Sequence, residues 1–238
     1  MITELTPDDA AWAAGLMERR RRAYEHYSPV FWRPAAGMTG RHARFLRGQI
    51  SAERTVALRG EHGFIICQRR EAEGFVDDFA LEPPGTWDDD GAALLLAAAR
   101  RLADGGIGAV RVVTAHADEE KSAMLARLSL SVTEQWWVRA VVPAGQPPAP
   151  GRISGPGLSG VLTPAPPVYD PGGPVFDADR VAPDVTTAEI ERTAAAHGAV
   201  LAVFPSPPGP DRAPELHARG WHVASDWYTG WPVAPGGS

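Results

Sequence analysis

The sequence predicts an α/β protein: a mixed sheet flanked by helices, followed by a smaller unit that repeats part of it. Three observations predict this. Short runs rich in β-branched and aromatic residues alternate with longer alanine- and leucine-rich runs. Glycines stand where the helical runs stop, at Gly105-Gly106, Gly198 and Gly220. The order strand, helix, strand, helix, strand of residues 75–142 then recurs in residues 175–231.

The elements follow from local chemistry. Thr6 is placed to cap a first helix, with Pro7 at its first position and Asp8 and Asp9 at its positive end. Trp12, Leu16, Tyr24 and Tyr27 supply its apolar side. A second helix is expected over Gly40–Ile50, with Phe45, Leu46 and Ile50 facing in. Three strands follow, at Thr55–Arg59, Gly63–Gln68 and Phe75–Leu81, the last carrying Asp77-Asp78. Asp89 or Asp90 opens a helix through Ala92–Ala103. Ala109–Thr114 reads as a buried strand, Asp118 caps a helix with Met124, Leu125 and Leu128, and Val132–Val142 returns as strand.

Residues 143–174 form a proline- and glycine-rich connector, marked by Pro143, Pro147, Pro148, Pro150, Pro171 and Pro174. One short strand is expected in it, near Gly160–Thr163. Beyond it come a strand at Val175–Val181, a capping-box helix opened by Thr186 and Glu189, a strand at Ala199–Phe204, a short helix at Asp211–Arg219 and a last strand at His222–Trp231. Phe75-Val76-Asp77 matches Val175-Phe176-Asp177, and Ala126-Arg127 matches Ala218-Arg219. The division is therefore 1–142, connector 143–174, and a second half-unit at 175–238.

Composition bounds the function. The chain has 238 residues, 44% hydrophobic and 22% charged, with a net charge of −6, a globular and mildly acidic mixture. That balance disfavours wholesale nucleic-acid binding. The longest apolar run, Ala92–Ala99, is far short of a membrane span, and the N-terminus lacks a basic leader, so a cytoplasmic protein without a membrane partner is expected. Cys67 is the single cysteine and lies in an apolar strand, as an inert thiol does. No histidine or acid cluster has metal-ligand spacing, so no metal is expected. A single lysine, Lys121, among many arginines reads as the codon bias of a GC-rich genome, without functional meaning.

Charge is unevenly spread. Residues 19–59 hold ten arginines against only Glu25 and Glu53, a local excess of eight positive charges. Either they grip an anionic ligand through bidentate contacts, or they form a solvated face paired with the acidic remainder. Within this stretch, Tyr24-Glu25-His26-Tyr27-Ser28-Pro29-Val30-Phe31-Trp32-Arg33-Pro34 is a proline-bounded aromatic loop. It suits a core plug, or an acceptor pocket lined by Tyr27, Trp32 and Arg33.

The stretch Phe75-Val76-Asp77-Asp78-Phe79-Ala80-Leu81-Glu82-Pro83, the helix Gly91–Ala99, the strand Val110–Thr114 and the helix Ala123–Leu128 follow one another in a recognisable order. That order resembles the GNAT superfamily, the acyl-coenzyme-A-dependent N-acyltransferases. The resemblance covers residues 1–142, and its second half recurs in 175–231. It implies acyl transfer from acetyl-coenzyme A or another acyl-coenzyme A, as co-substrate, to an amine of a small acceptor, an anionic one being an option. Asp77 falls where the family often places a carboxylate base. Leu81 would align the acyl arm through its backbone, Gly91 and Ala92 would meet the pyrophosphate at the helix front, and Thr114 would lie near the pantetheine. The departures are equally specific. Thr86-Trp87-Asp88-Asp89-Asp90-Gly91 replaces the family's basic, glycine-rich phosphate loop. Leu125 stands at the usual proton-donating tyrosine, and Asp118 where an asparagine is often found. The rival readings are a degenerate binding or scaffold protein that has left coenzyme A, and a transferase with another donor such as aminoacyl-tRNA. Oligomeric state is not legible in the sequence.

Overall fold

The structure is a computed structural model that describes residues 1–145, 149–209 and 211–233. Pro147 and Pro148 of the expected connector, and the last five residues of the expected second half-unit, lie outside the described residues. The chain forms two compact units. The first comprises Met1–Ala23, Gly37–Thr133 and Asp226–Ser238, the second Tyr24–Ala36 and Glu134–Ser225. The chain's last strand returns to the first unit, so the units do not follow the linear division at 142 and 175.

In the first unit, β1 (Thr3–Glu4) leads to a 3₁₀ turn, Pro7–Asp9, and α1 (Ala10–Glu25, whose last two residues belong to the second unit). Thr6 and Asp9 form a capping box there, with Asp9 accepting from the Thr6 N–H and hydroxyl at 2.9 and 2.8 Å. Next come α2 (Met38–Ile50), β2 (Thr55–Arg59), β3 (Gly63–Arg70), β4 (Glu73–Leu81), α3 (Ala92–Ala103), β5 (Ala109–Ala115) and α4 (Glu119–Arg127). The strand order is β1-β2-β3-β4-β5, antiparallel as far as β4 and parallel between β4 and β5. Leu94, Leu95 and Leu102 of α3 and Met124 and Leu125 of α4 cover one face. Ala10, Ala13, Ala14, Leu16 and Met17 of α1 and Leu46 of α2 cover the other. Phe45 corrects the sequence reading: it is 51% exposed, stacked on His42. The buried stripe of α2 is Met38, His42 and Leu46, at i, i+4 and i+8, and Phe45 lies one position off it.

Two features of β4 place the site. Ile65 opposes Phe79 and Cys67 opposes Val76, so β4 carries one extra residue, a β-bulge at Asp77-Asp78. Simple alternation predicted Val76 and Asp78 on one face. The bulge breaks the alternation, and Val76 and Phe79 share the α3/α4 core instead. The parallel ladder between β4 and β5 runs from Glu73/Ala109 to Val76/Val112 and stops, although β4 continues to Leu81 and β5 to Ala115. The two strands part at Asp77.

The second unit holds residues 134–140 of β6 (Ser131–Ala140), then β7 (Gly151–Gly155), β8 (Leu158–Thr163), β9 (Val175–Val181), α5 (Thr187–Ala196), β10 (Leu201–Ser206), α6 (Ala213–Ala218) and residues 222–225 of β11 (His222–Gly230). Its strand order is β6-β10-β9-β8-β7. The expected single strand in the connector is a two-stranded hairpin, β7–β8, turned at Gly157 with φ +70°. Leu158 and Leu162 of this hairpin are buried in the unit's core, with Phe176, Ile190 and Trp221. The repeat is visible in the ladders. The β9–β10 pairing is parallel and ends at Asp177/Val203, and β9 bulges against β8 just beyond Asp177. The half-unit thus reproduces both the bulge and the parting of strands, with an aspartate at each parting point.

Among the described residues no helix is long and apolar enough to cross a membrane. Cys67 is fully buried, and burial pushes its thiol up to about 12.

Candidate functional site

The parting of β4 and β5 is lined by a charge cluster gathered from four elements of the first unit. Asp78, turned by the bulge toward α1 and α2, is almost fully buried. His42 Nε2 lies 2.9 Å from its Oδ1 and the Arg21 guanidinium at 3.7 Å. Arg21 also reaches His42 Nδ1 at 3.0 Å. A guanidinium has only donors, so Nδ1 accepts and Nε2 carries the hydrogen on the side that faces Asp78. Burial pushes the Asp78 carboxyl up, but His42 and Arg21 outweigh it and hold it below its ordinary value.

On the β5 side, Asp118 accepts from the guanidinium of Arg20, and its Oδ1 accepts from the Lys121 N–H at 3.4 Å as the cap of α4. Lys121 is 2% exposed. Its Nζ donates to the Val113 carbonyl at 2.8 Å, just beyond the last β4–β5 pair, and sits 5.3 and 5.5 Å from the rings of Phe79 and Trp87. Desolvation lowers this ammonium to about 8, against the pull of Asp118, Asp77 and Asp78 the other way. Arg20, Arg21 and Lys121 balance Asp77, Asp78 and Asp118, which explains how six ionisable groups gather beneath one strand pair.

Asp77 differs from its neighbours. It retains a solvent-exposed surface while being enclosed by protein on its other sides. That enclosure, and then the adjacent Asp78, raise its carboxyl above the ordinary value. Arg21, Lys121 and His42 only partly oppose this. A carboxylate that touches solvent and binds a proton more readily than usual suits proton abstraction.

The other candidates fall as follows. Leu81 is buried, and the Glu82 N–H donates to the His62 carbonyl at 2.9 Å. Alternation along the antiparallel β3–β4 pair then turns the Leu81 backbone to the opposite edge, toward the parting. Thr114 is buried, with its hydroxyl 3.4 Å from Asp118 Oδ2. Gly91 and Ala92 do not open the helix. A π-helical turn, Trp87–Gly91, leads into α3, so the Asp90 and Gly91 N–H groups donate to the Thr86 carbonyl at 3.0 and 3.2 Å, and that of Ala92 to the Trp87 and Asp89 carbonyls. Tyr27, Trp32 and Arg33 belong to the second unit. Trp32 is a core plug: it is buried, donates to the Ala224 carbonyl at 3.3 Å, and packs on Tyr24, Phe31 and Tyr169. The Arg33 guanidinium is held by the Asp170 carbonyl, and Tyr27 is half exposed. Three arginines of the basic stretch form surface ion pairs. Arg19 meets Glu82 and Arg22 meets Glu18, each at 2.7 Å, and Arg59 meets Asp9 at 2.5 Å.

Sequence reasoning missed Lys121, Asp118, Arg20, Arg21 and His42 as one cluster. One signal was present: Lys121 is the sole lysine, the other 22 of 23 basic residues being arginine. An arginine cannot shed its proton in a protein; a buried lysine can.

No protein-family profile matches the sequence, and no curated protein does. Solved structures do match, along nearly the whole chain. One is described as an acetyltransferase of Thermoplasma acidophilum, with TM-score 0.56 and 10% identity, over 96% of this chain and 98% of that one. A GCN5-related N-acetyltransferase of Sphaerobacter thermophilus has TM-score 0.57 and 12% identity, over 98% and 96%. A third, described as an acetyltransferase of Pyrococcus horikoshii, has TM-score 0.55 and 10% identity, over 98% and 89%. The chain has the GNAT fold.

Coenzyme A can be tested against this GNAT fold directly. Beyond Val76 the Leu81 backbone faces the edge of β4 that has no β5 partner in the ladder, the position an acyl arm would need. The front of α3 does not fit the nucleotide. Its amides are spent on helical carbonyls, Trp87 is 1% exposed and fills the corner, and three carboxylates crowd the turn. Leu125 is fully buried in apolar surroundings and has no proton to give.

Proposed function

We propose that the first unit transfers an activated acyl group to an amine of a small acceptor. The observation that carries this reading is the exposed carboxylate of Asp77 at the bulge where β4 and β5 part. Amine acylation needs a base at one point only. The attacking nitrogen must shed a proton as it bonds to the acyl carbon, and Asp77 takes that proton. Asp78, ion-paired beneath it, keeps the neighbouring charge fixed. Arg21 and His42 hold the bulge in place. The unpaired edge of β4 at Leu81 aligns the acyl donor.

The test is release of free thiol from acyl thioesters in the presence of a panel of primary amines. Asp77→Asn is expected to lower turnover by about 10²–10⁴-fold while leaving the melting temperature unchanged or raised, since it removes repulsion from Asp78. Undiminished turnover in Asp77→Asn ends this assignment. The closed front of α3 and the apolar Leu125 favour a second reading, a GNAT-fold binding protein without chemistry. Tight amine binding with no thiol release from any ester would select it.

A further inference from the structure

We propose that the acyl donor of this site is a thioester that carries no nucleotide, an acyl-pantetheine arm without adenosine diphosphate. The inference rests on the acyl-transfer reading and names the substrate class that the open end of the site accepts.

Three independent features close the nucleotide end. First, a pyrophosphate needs uncommitted amides at a helix front. Here the chain enters α3 through one continuous turn from Thr86, and the N–H groups of Asp90, Gly91 and Ala92 all point back at main-chain carbonyls. Second, the space is taken. The Trp87 indole packs edge-on against Phe79 at 4.8 Å, under the guanidinium of Arg20 at 4.6 Å. A methyl group built at Gly91 would meet the Trp87 ring at 2.8 Å, so no room remains between backbone and indole. Third, the helix front carries Asp88, Asp89 and Asp90. Asp88 is tied to Arg127 at 2.5 Å and Asp90 to His62. The nearest positive groups are therefore already committed to carboxylates. An unpaired carboxylate about 4 Å from a phosphate costs about fivefold in affinity even at the dielectric of water, and an ion-paired one less.

Of these features only the Trp87 indole reaches the strand parting, through Phe79 and Lys121. The β4 edge beyond Val76 and the exposed carboxyl of Asp77 lie on the strand side of the cluster. An arm lacking the nucleotide needs only the unpaired β4 edge and does not face the three carboxylates of the turn.

The test compares binding of S-acetylpantetheine and acetyl-coenzyme A to the full chain by calorimetry. Acetylpantetheine is expected to bind at least as tightly as acetyl-coenzyme A. In Asp88→Asn/Asp89→Asn, which changes only exposed side chains, acetyl-coenzyme A is expected to gain at least tenfold and acetylpantetheine to stay within twofold. A hundredfold preference of the native chain for acetyl-coenzyme A overturns the proposal and leaves the acyl-transfer reading standing. Failure of both esters to bind at millimolar concentration overturns the two together.

Discussion

Lys121 offers the sharpest test of the charge cluster, because the chain contains no other lysine. Protein labelled with ¹³C at lysine gives one side-chain signal, and its chemical shift against pH reads the protonation of Nζ directly. The ordinary value is 10.5, and burial brings it to about 8. At about 1.36 kcal/mol for each tenfold change in proton affinity, the enclosure costs the charged form about 3 kcal/mol. The unfolded chain keeps this proton up to its ordinary value, while the folded chain loses it near 8. Between those limits the unfolded state binds more protons, so this group makes the fold more stable as pH rises from about 8 to 10.5. Below that window the ammonium is charged in both states and its burial cost is full. Asp118 is the largest influence holding the proton on, so Asp118→Asn should move the midpoint below 8, and Asp77→Asn should move it in the same direction by less. Lys121→Arg keeps the charge at all accessible pH and should abolish the stability rise. A midpoint at or above 10 in the native chain would show that Nζ is solvated, and the cluster would lose its closed floor.

The remaining predictions concern stability. Arg21→Ala strands the buried Asp78 beside His42 and should cost about 3–5 kcal/mol in chemical denaturation. Asp177 has an Oδ1 buried without a hydrogen-bond partner, and burial, with Asp179 and Glu134 nearby, raises its carboxyl to about 6. The folded state thus retains a proton that the unfolded state has shed between about 4 and 6, which erodes stability as pH rises through that window. Asp177→Asn should accordingly raise the melting temperature at pH 8 and leave it unchanged at pH 3. Gly63→Ala places a methyl group 2.1 Å from the Ala80 carbonyl oxygen and should cost at least about 1–3 kcal/mol, read from the denaturation midpoint. Thr186→Ala removes the capping box of α5 and should cost about 1 kcal/mol.

Much of the fold is written locally. Capping at Thr6, Asp118 and Thr186 depends on one side chain meeting an amide two or three residues on, so residue type and spacing fix it. Gly106, Gly198 and Gly220 take positive φ values of 71–78° just after helices, which a side chain resists. The recurrence of Asp77 at Asp177 is visible for the same reason: repeated strands carry repeated residues. Other features need distant partners. The bulge at Asp77-Asp78 exists only against β3, and it overrode the period-two pattern that the sequence offers. The β7–β8 hairpin was hidden by its prolines and glycines because its two buried leucines count only once α5 and β9 cover them.

The candidate site divides the same way. Residue type alone singled out Asp77, since an acid between apolar strand residues is costly without a use. The sequence also exposed the acidic turn before α3, and with it the conflict with a nucleotide. What it could not supply was neutralisation. Arg20 and Arg21 read as a solvated patch until α1 packs on the sheet and brings them to Asp118 and Asp78, which for Arg20 and Asp118 closes a separation of 98 residues. Lys121 is an ordinary first-turn residue of α4 until β4 and β5 part and leave the Val113 carbonyl for its ammonium. Charges act over a few ångströms of space whatever their separation in sequence, so which carboxylate binds its proton less readily than usual, and which more readily, was decided by tertiary packing alone.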